Sequence, residues 1–311
     1  MRRLAYQTWN NPIAIKELRG RMRGWRAATV LIVHLAALSC LASFIYFLVA
    51  ESASGISTYG GGGQVGQTMG QTLFYGTYML QLAIVVFLSP SFTAGTISGE
   101  RERKTIDLLI VTLLPRHSLV VGKLISALAY VVLLILAALP IQSLAFMFGG
   151  VVLSELAIGT LLLLVTALIA GTVGIFISSW MRSSIASTVL SYATVLAAML
   201  GLPVLVGMAV SILSAVANQA LDRLSWAGQA ALVYAGGLLL CTNPFATAVM
   251  TKVVQDEYDS FFFFTIQVRG SSGPAHTIPL ISPWVVYILL HVVFSALLIL
   301  FSTLIIRHKR G

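Results

Sequence analysis

Nucleotide hydrolysis, metal binding and peptide-bond cleavage each demand a particular spacing, and the reactive residues of this chain can be set against those demands. A phosphate cradle needs G-x-x-x-x-G-K-[ST], whose backbone amides surround the phosphates. Gly122-Lys123 is followed by Leu124, and the pattern does not occur. A metal centre needs clustered ligands, whereas His34, His117, His276, His291 and His308 are scattered along the chain. Intramembrane hydrolysis would want paired acids, or a serine beside a histidine. Ser178 and Ser179 with His291 are the residues available, and nothing in their spacing supports it. No catalytic residue, metal ligand or resident cofactor is therefore assigned. The remaining candidate is mechanical, the run Gly99-Glu100-Arg101-Glu102-Arg103-Lys104-Thr105-Ile106-Asp107-Leu108-Leu109-Ile110. Glu100 and Glu102 suit a helix N-terminus, where negative charge is favoured. Ile106, Leu109, Ile110 and Leu113 then recur at i, i+3, i+4 and i+7, one apolar stripe. Pro115 stops the helix, and Ser118 can cap the next. A helix over Glu100 to Leu114 with a charged start and an apolar side fits a groove on a cytoplasmic partner. A solvated intracellular loop is the plainer reading of the same spacing.

Composition shows what must position this segment. The 311 residues are 58% hydrophobic and 9% charged, with a mean hydropathy of +0.93. Soluble domains carry roughly 25% charged residues, so the chain is an all-α polytopic membrane protein. A crossing helix needs about 20 apolar residues. Six stretches provide them: 27–50, 73–94, 124–148, 156–180, 185–210 and 284–306, none with Asp, Glu, Lys or Arg. A seventh apolar stretch, 229–251, has a clean run of only Ala230 to Leu240 before Cys241-Thr242-Asn243-Pro244 interrupts it. It reads as a re-entrant or interfacial element within an outer region over 211–283.

Basic residues set the orientation, since they gather on the cytoplasmic side. Seven precede the first span (Arg2, Arg3, Lys16, Arg19, Arg21, Arg23, Arg26). Five follow the second (Arg101, Arg103, Lys104, Arg116, Lys123), one follows the fourth (Arg182) and three follow the last (Arg307, Lys309, Arg310). The opposite face keeps Arg223, Lys252 and Arg269. Both termini are thus expected in the cytoplasm of a multi-pass protein of the cell (inner or plasma) membrane. The net charge of +9 is spread over membrane-flanking loops without interleaved aromatics, which argues against nucleic acid. The first apolar run, at 24 residues, is too long for a signal-peptide core and is expected to remain as an anchor.

Asn10-Asn11-Pro12 is a helix start, with proline at the first helical position. Ile15, Leu18, Met22 and Trp25 form one stripe and Lys16, Arg19, Arg23 and Arg26 another, so 12–26 reads as an interfacial amphipathic helix. Inside the spans, His34, Gln81, Gln142 and His291 are candidate pathway residues or interhelical hydrogen bonders. Gly171 and Gly174 suit close helix packing, and Gly201 with Pro203 is a candidate hinge, because proline removes a backbone hydrogen bond. Spans without an acid lack the usual relay of proton- or sodium-coupled carriers. Phe261 to Phe264 precede a short strand over 265–268 and a turn over 269–273. Those four rings suit either the headgroup level or a cover over a pathway exit.

The run Ile97-Ser98-Gly99-Glu100-Arg101-Glu102-Arg103-Lys104-Thr105-Ile106-Asp107-Leu108-Leu109, with Pro115-Arg116 and Gly122-Lys123-Leu124, resembles the loop after the second span of type-2 ATP-binding-cassette transporter permeases. Asn11-Pro12-Ile13-Ala14-Ile15-Lys16-Glu17-Leu18-Arg19 resembles the start of such permeases, and Asn243-Pro244-Phe245 part of their C-terminal half. The resemblance implies one permease domain over 1–311, with 12–26 as connecting helix and 99–118 as coupling helix. Glu100, Arg101, Glu102, Arg103, Ile106, Asp107, Leu109 and Ile110 would then meet a separate ABC ATPase subunit. That subunit would bind ATP and Mg, so this chain is not itself the enzyme. The resemblance further implies export, and pairing with a second permease copy or a homologous permease within membrane lipid. A non-transporting membrane scaffold that recruits a partner through 99–118 is the alternative.

Overall fold

The computed structural model describes residues 20, 24–54, 62–105, 116–201, 204, 207–208, 225–269 and 275–308. Among the described residues five helices, α1 (Trp25–Ser54), α2 (Gly62–Thr93), α4 (Arg116–Phe148), α5 (Leu153–Trp180) and α9 (Pro283–His308), are long and apolar enough to cross a membrane. Between them lie α3 (Ser98–Glu102) and α6 (Ser184–Leu196), the latter running into a π-helical turn over Ala197–Gly201. Then come α7 (Trp226–Leu240), α8 (Pro244–Tyr258) and the strands β1 (Phe263–Arg269) and β2 (Ala275–Ile281). Within the expected fifth span, 185–210, the described residues are α6 as far as Leu196, the π turn over Ala197–Gly201, and positions 204 and 207–208.

The chain forms two compact units, Met1–Tyr192 with Phe294–Gly311, and Ala193–Val293. In the first, α2 packs against α1, α4 and α5. Ala42, Ile45, Leu73, Phe74, Ala145 and Val151 make one core cluster. Ile97, Val120, Leu124, Ile175 and Ile306 make a second at the far end of α2. Helix α5 is apolar on all sides and correspondingly buried along most of its length, as a fully enclosed helix should be. Its glycines let neighbours approach: a Cβ on Gly171 would stand 2.8 Å from Leu128, and one on Gly174 would run into the Thr93 hydroxyl. The α4–α5 connection turns on Gly149 and Gly150, at φ +85° and +79°, a region that penalises any side chain. Glu155 closes the turn by accepting from the Val152 amide (3.1 Å) and the Tyr75 hydroxyl (3.2 Å).

Hydroxyls inside the spans bond back along their own helices. Thr77, Ser89, Thr93, Thr166 and Ser191 each donate to the carbonyl four residues earlier, at 2.7–3.0 Å. That pairing settles a polar atom locally, where lipid offers no partner.

In the second unit, the interruption expected at Cys241–Asn243 separates α7 from α8, two helices of 15 residues each. The Asn243 Oδ1 accepts from the amides of Phe245 (2.9 Å) and Ala246 (3.1 Å), with Pro244 at the first helical position. Its Nδ2 donates to the Met199 carbonyl (2.6 Å) in the π turn. The strand expected over 265–268 is longer and has a partner: β1 begins at Phe263 and pairs antiparallel with β2, Phe263 opposite Ile281 and Arg269 opposite Ala275. The described residues are thus mostly helical, as an all-α polytopic membrane protein requires, with this two-stranded hairpin among them. Val268, Ile278 and Ile266 of the hairpin pack on Ala230 and Val233 of α7.

Candidate functional site

Helix α2 ends at Thr93, and the chain turns through Ala94–Ile97 into α3. Ile97 and Ser98 are fully buried. A helix start leaves amides without partners, and an N-cap side chain ordinarily satisfies them; Ile97, at the cap position, has none to offer. Ser178, in the last turn of α5, supplies the missing oxygen. Its Oγ accepts from the amides of Ile97 and Ser98, both at 3.0 Å, and lies 3.2 Å from the Ser98 hydroxyl.

The three charges that follow each reach a different helix. Glu100 Oε1 accepts from Lys123 Nζ of α4 at 2.6 Å, the lysine side chain 2% exposed and the glutamate 25%. Arg101 donates Nη1 to the Met181 carbonyl (2.5 Å) and Nη2 to the Ser179 carbonyl (3.0 Å). Those carbonyls close the C-terminal end of α5, the negative pole of its dipole, where a cation belongs. Glu102 Oε2 accepts from the Ser184 hydroxyl (2.6 Å) and Oε1 from the Ser184 amide (3.1 Å). That is the first residue of α6, the positive pole of its dipole, where an anion belongs. The Ser184 hydroxyl and amide hold the Glu102 carboxyl below its ordinary range. A five-residue helix thus ties α4, α5 and α6 to the end of α2, one consecutive residue for each.

Helix α3 does not continue to Leu114 as expected. The Thr105 amide donates to the Glu100 carbonyl (3.0 Å) and the Lys104 amide to the Arg101 carbonyl (3.1 Å), with Lys104 at φ +56°. This is a Schellman closure, which ends a helix with a left-handed residue. Among the expected contact residues, Glu100, Arg101 and Glu102 face their own chain, and Arg103 and Lys104 are exposed. Ile106, Asp107, Leu109 and Ile110 lie outside the described residues, as do Pro203 and positions 12–19 of the amphipathic segment.

The intramembrane candidates are placed as follows. Gln81 and Gln142 are brought together: Gln142 Nε2 donates to Gln81 Oε1 (2.5 Å), and Gln81 Nε2 to the Ile135 carbonyl (3.3 Å), both side chains essentially without solvent contact. They join α2 to α4. His34 is buried on α1. His291 is buried on α9, its ring 4.0 Å from that of Tyr287 and its Nδ1 2.9 Å from the Tyr287 carbonyl. Gly201 ends the π turn with open space around its α-carbon. Among the described residues no three His, Cys, Asp or Glu side chains come together as metal ligands.

Spacing alone missed the roles of Lys123 and Ser184 and gave no partner for Ser178 or for the Asn243 amide nitrogen. Lys123 counts in the sequence as one more topological charge. Its position on the eighth residue of α4, inside a helix of apolar residues, is the signal that it must have a partner.

The family model described as ABC-2 family transporter protein matches residues 11–245, most of the chain and all of the residues joined through α3. No curated protein matches the chain.

Proposed function

The chain belongs to the ABC-2 transporter family, a multi-pass membrane permease, and from that premise we propose that it is the permease subunit of an exporter driven by a separate ATPase. The observation that carries the proposal is the three-way tie at α3, where Glu100, Arg101 and Glu102 hold α4, α5 and α6 respectively. A subunit pressing on Arg103, Lys104 and the residues up to 118 would move α3 as one piece with those helices. Energy released by ATP and Mg on the partner would reach the membrane through Lys123, Ser178 and Ser184. In this reading Glu100, Arg101 and Glu102 transmit force and keep geometry, while Arg103 and Lys104 are left to touch the partner. Ile106, Asp107, Leu109 and Ile110 would extend the same contact.

The arrangement we infer has six crossings, with 185–210 as the fifth, both termini in the cytoplasm, and α7–α8 as a re-entrant pair on the outer side. A short, broken pair of helices suits a dip into one leaflet, because each is too short to cross. Two permeases, identical or homologous, would face one another around the pathway. The apolar stretches 27–50, 73–94, 124–148, 156–180, 185–210 and 284–306 carry no Asp, Glu, Lys or Arg, which leaves the driving chemistry to the partner. Gly201 in the π turn would give the fifth span its bend, since π turns loosen the helical ladder.

Co-reconstitution tests the proposal. The ATPase subunit should bind the wild-type chain and hydrolyse ATP at a rate that depends on it. Exchanging Arg103 and Lys104 together for glutamate should weaken binding, and Arg101→Ala should leave binding intact while lowering the permease-dependent rate. Hydrolysis indifferent to both variants would refute this reading and favour a scaffold.

A further inference from the structure

The hairpin lies beyond the residues that the family model matches, and its exposed surface changes character along its length. Phe261, Phe262 and Phe263 are 42%, 57% and 68% exposed, and Ile281, opposite Phe263 in the ladder, 47%. Two residues further along β1 the exposed positions are Thr265 and then Gln267, with Thr277 across from the latter. At ~3.4 Å per strand residue, Gln267 stands ~14 Å from Phe263. One face of the strands is covered by α7, so this gradient is carried by the uncovered one.

The apolar end is fixed to the first residues of α9. The Ser282 amide donates to the Phe262 carbonyl (2.8 Å) and Trp284 Nε1 to the Phe261 carbonyl (2.7 Å). The Phe262 and Trp284 rings meet at 5.4 Å. Helix α9 starts at Pro283 and is itself apolar and exposed, with Leu289 and Val293 each 60% open. The phenylalanines therefore stand at the level where a membrane span begins, and the polar positions Gln267 and Thr277 stand ~14 Å away along the strands. Water does not suit three rings so exposed, whereas the boundary between headgroups and acyl chains selects aromatic residues. Trp284 shares the pattern, an apolar ring with its one polar group directed to a carbonyl.

We propose that Phe261, Phe262, Phe263 and Ile281 form an interfacial membrane anchor that binds phospholipid at the headgroup–acyl boundary where α9 begins, with Gln267 and Thr277 in water. The anchor fixes the depth of the α9 start and, through Val268 and Ile278 on α7, the depth of α7. The occupant is lipid because the apolar ridge is continuous in the chain with the exposed apolar surface of a membrane span. The proposal rests on α9 crossing the bilayer and not on any ATPase partner, so its failure and that of the transport reading are separable.

Site-directed nitroxide labelling of the full chain in phosphatidylcholine nanodiscs tests it. The labels are Phe263→Cys and, separately, Gln267→Cys, each in a Cys40→Ser, Cys241→Ala background. The label at 263 should collide with oxygen and lose collisions with a water-soluble nickel chelate, and the label at 267 should collide freely with the chelate. Equal chelate access at the two positions would overturn the proposal by placing the ridge in water. Screening of position 263 from both reagents would also overturn it, by placing protein, such as a second copy of the chain, on the ridge. Should Phe263→Cys not fold, Ile281→Cys reads the same depth from the opposite strand.

Discussion

Arg101 offers the sharpest quantitative test of the joint at α3. Its guanidinium donates to two carbonyls, those of Met181 and Ser179, at the end of α5. A hydrogen bond from a charged donor contributes about 1.5–3 kcal/mol when enclosed, but Arg101 is only half-buried, and solvent screening reduces each bond to about 1 kcal/mol. Arg101→Ala should then cost about 2 kcal/mol of local stability, or a roughly 30-fold rise in the population of the opened α5–α6 junction. Arg101→Lys keeps the charge at the helix pole but loses the planar fork. It should retain one bond and show a rise of about fivefold, the equivalent of ~1 kcal/mol. Hydrogen exchange of residues 178–186, measured on the chain in nanodiscs, reads both numbers directly. The reasoning fails if alanine leaves exchange within about twofold of wild type, or if lysine and arginine are indistinguishable, because the fork geometry would then contribute nothing.

Glu100 and Lys123 should show a coupling of about 1–3 kcal/mol in a cycle of Glu100→Gln, Lys123→Met and the double variant, read as unfolding free energy in detergent. That range lies below that of a fully enclosed pair, because Glu100 is partly open to solvent. The Glu102 carboxyl is held below its ordinary range by Ser184. Its contribution to the α3–α6 contact is complete above the ordinary carboxylate pKa and is lost as pH falls through the depressed folded value. Exchange at the Ser184 amide should accelerate through that acidic window in wild type and become insensitive to it in Glu102→Gln. Asn243→Ala should loosen the start of α8 by about 1–2 kcal/mol, the value of a helix cap, and the π turn at Ala197–Gly201 with it. Asn243→Asp should preserve the cap and lose the donor to Met199, so that exchange rises in the π turn alone.

Much of the architecture is written in hydropathy. Runs such as 124–148 and 156–180 have no competing reading, because nothing but lipid or a protein interior accommodates about 25 apolar residues in succession. The break at Cys241–Pro244 was equally legible, since Asn followed by Pro is both a cap and a barrier to a continuing helix. The α3 joint was legible as a place and not as a geometry. Ile106, Leu109 and Ile110 follow the charged run in helical phase, so periodicity joins them to it. The closure at Lys104 carries no glycine to announce it, and a lysine in a left-handed conformation leaves no trace in the pattern. The partners of Glu100, Arg101 and Glu102 lie about 80 residues away for two of the three, at Ser179, Met181 and Ser184. Spacing along a helix does not report such contacts. The pairing of Phe263 with Ile281 escaped for a related reason: Pro279 within β2 argues against a strand unless it lies at an edge, and a two-stranded hairpin consists of edges.

If a separate ATPase drives the permease as proposed, motion enters at α3 and leaves through α4, α5 and α6. Hydrogen exchange across α3 to α6 in the reconstituted complex, with and without ATP, measures that passage most directly. ATP should alter protection in α4 and α5 only when the ATPase subunit is present, and Arg101→Ala should abolish the change in α5 while α4, held through Glu100 and Lys123, keeps it. An ATP response of the same size from the permease alone, or one that passes unchanged through Arg101→Ala, would contradict the account.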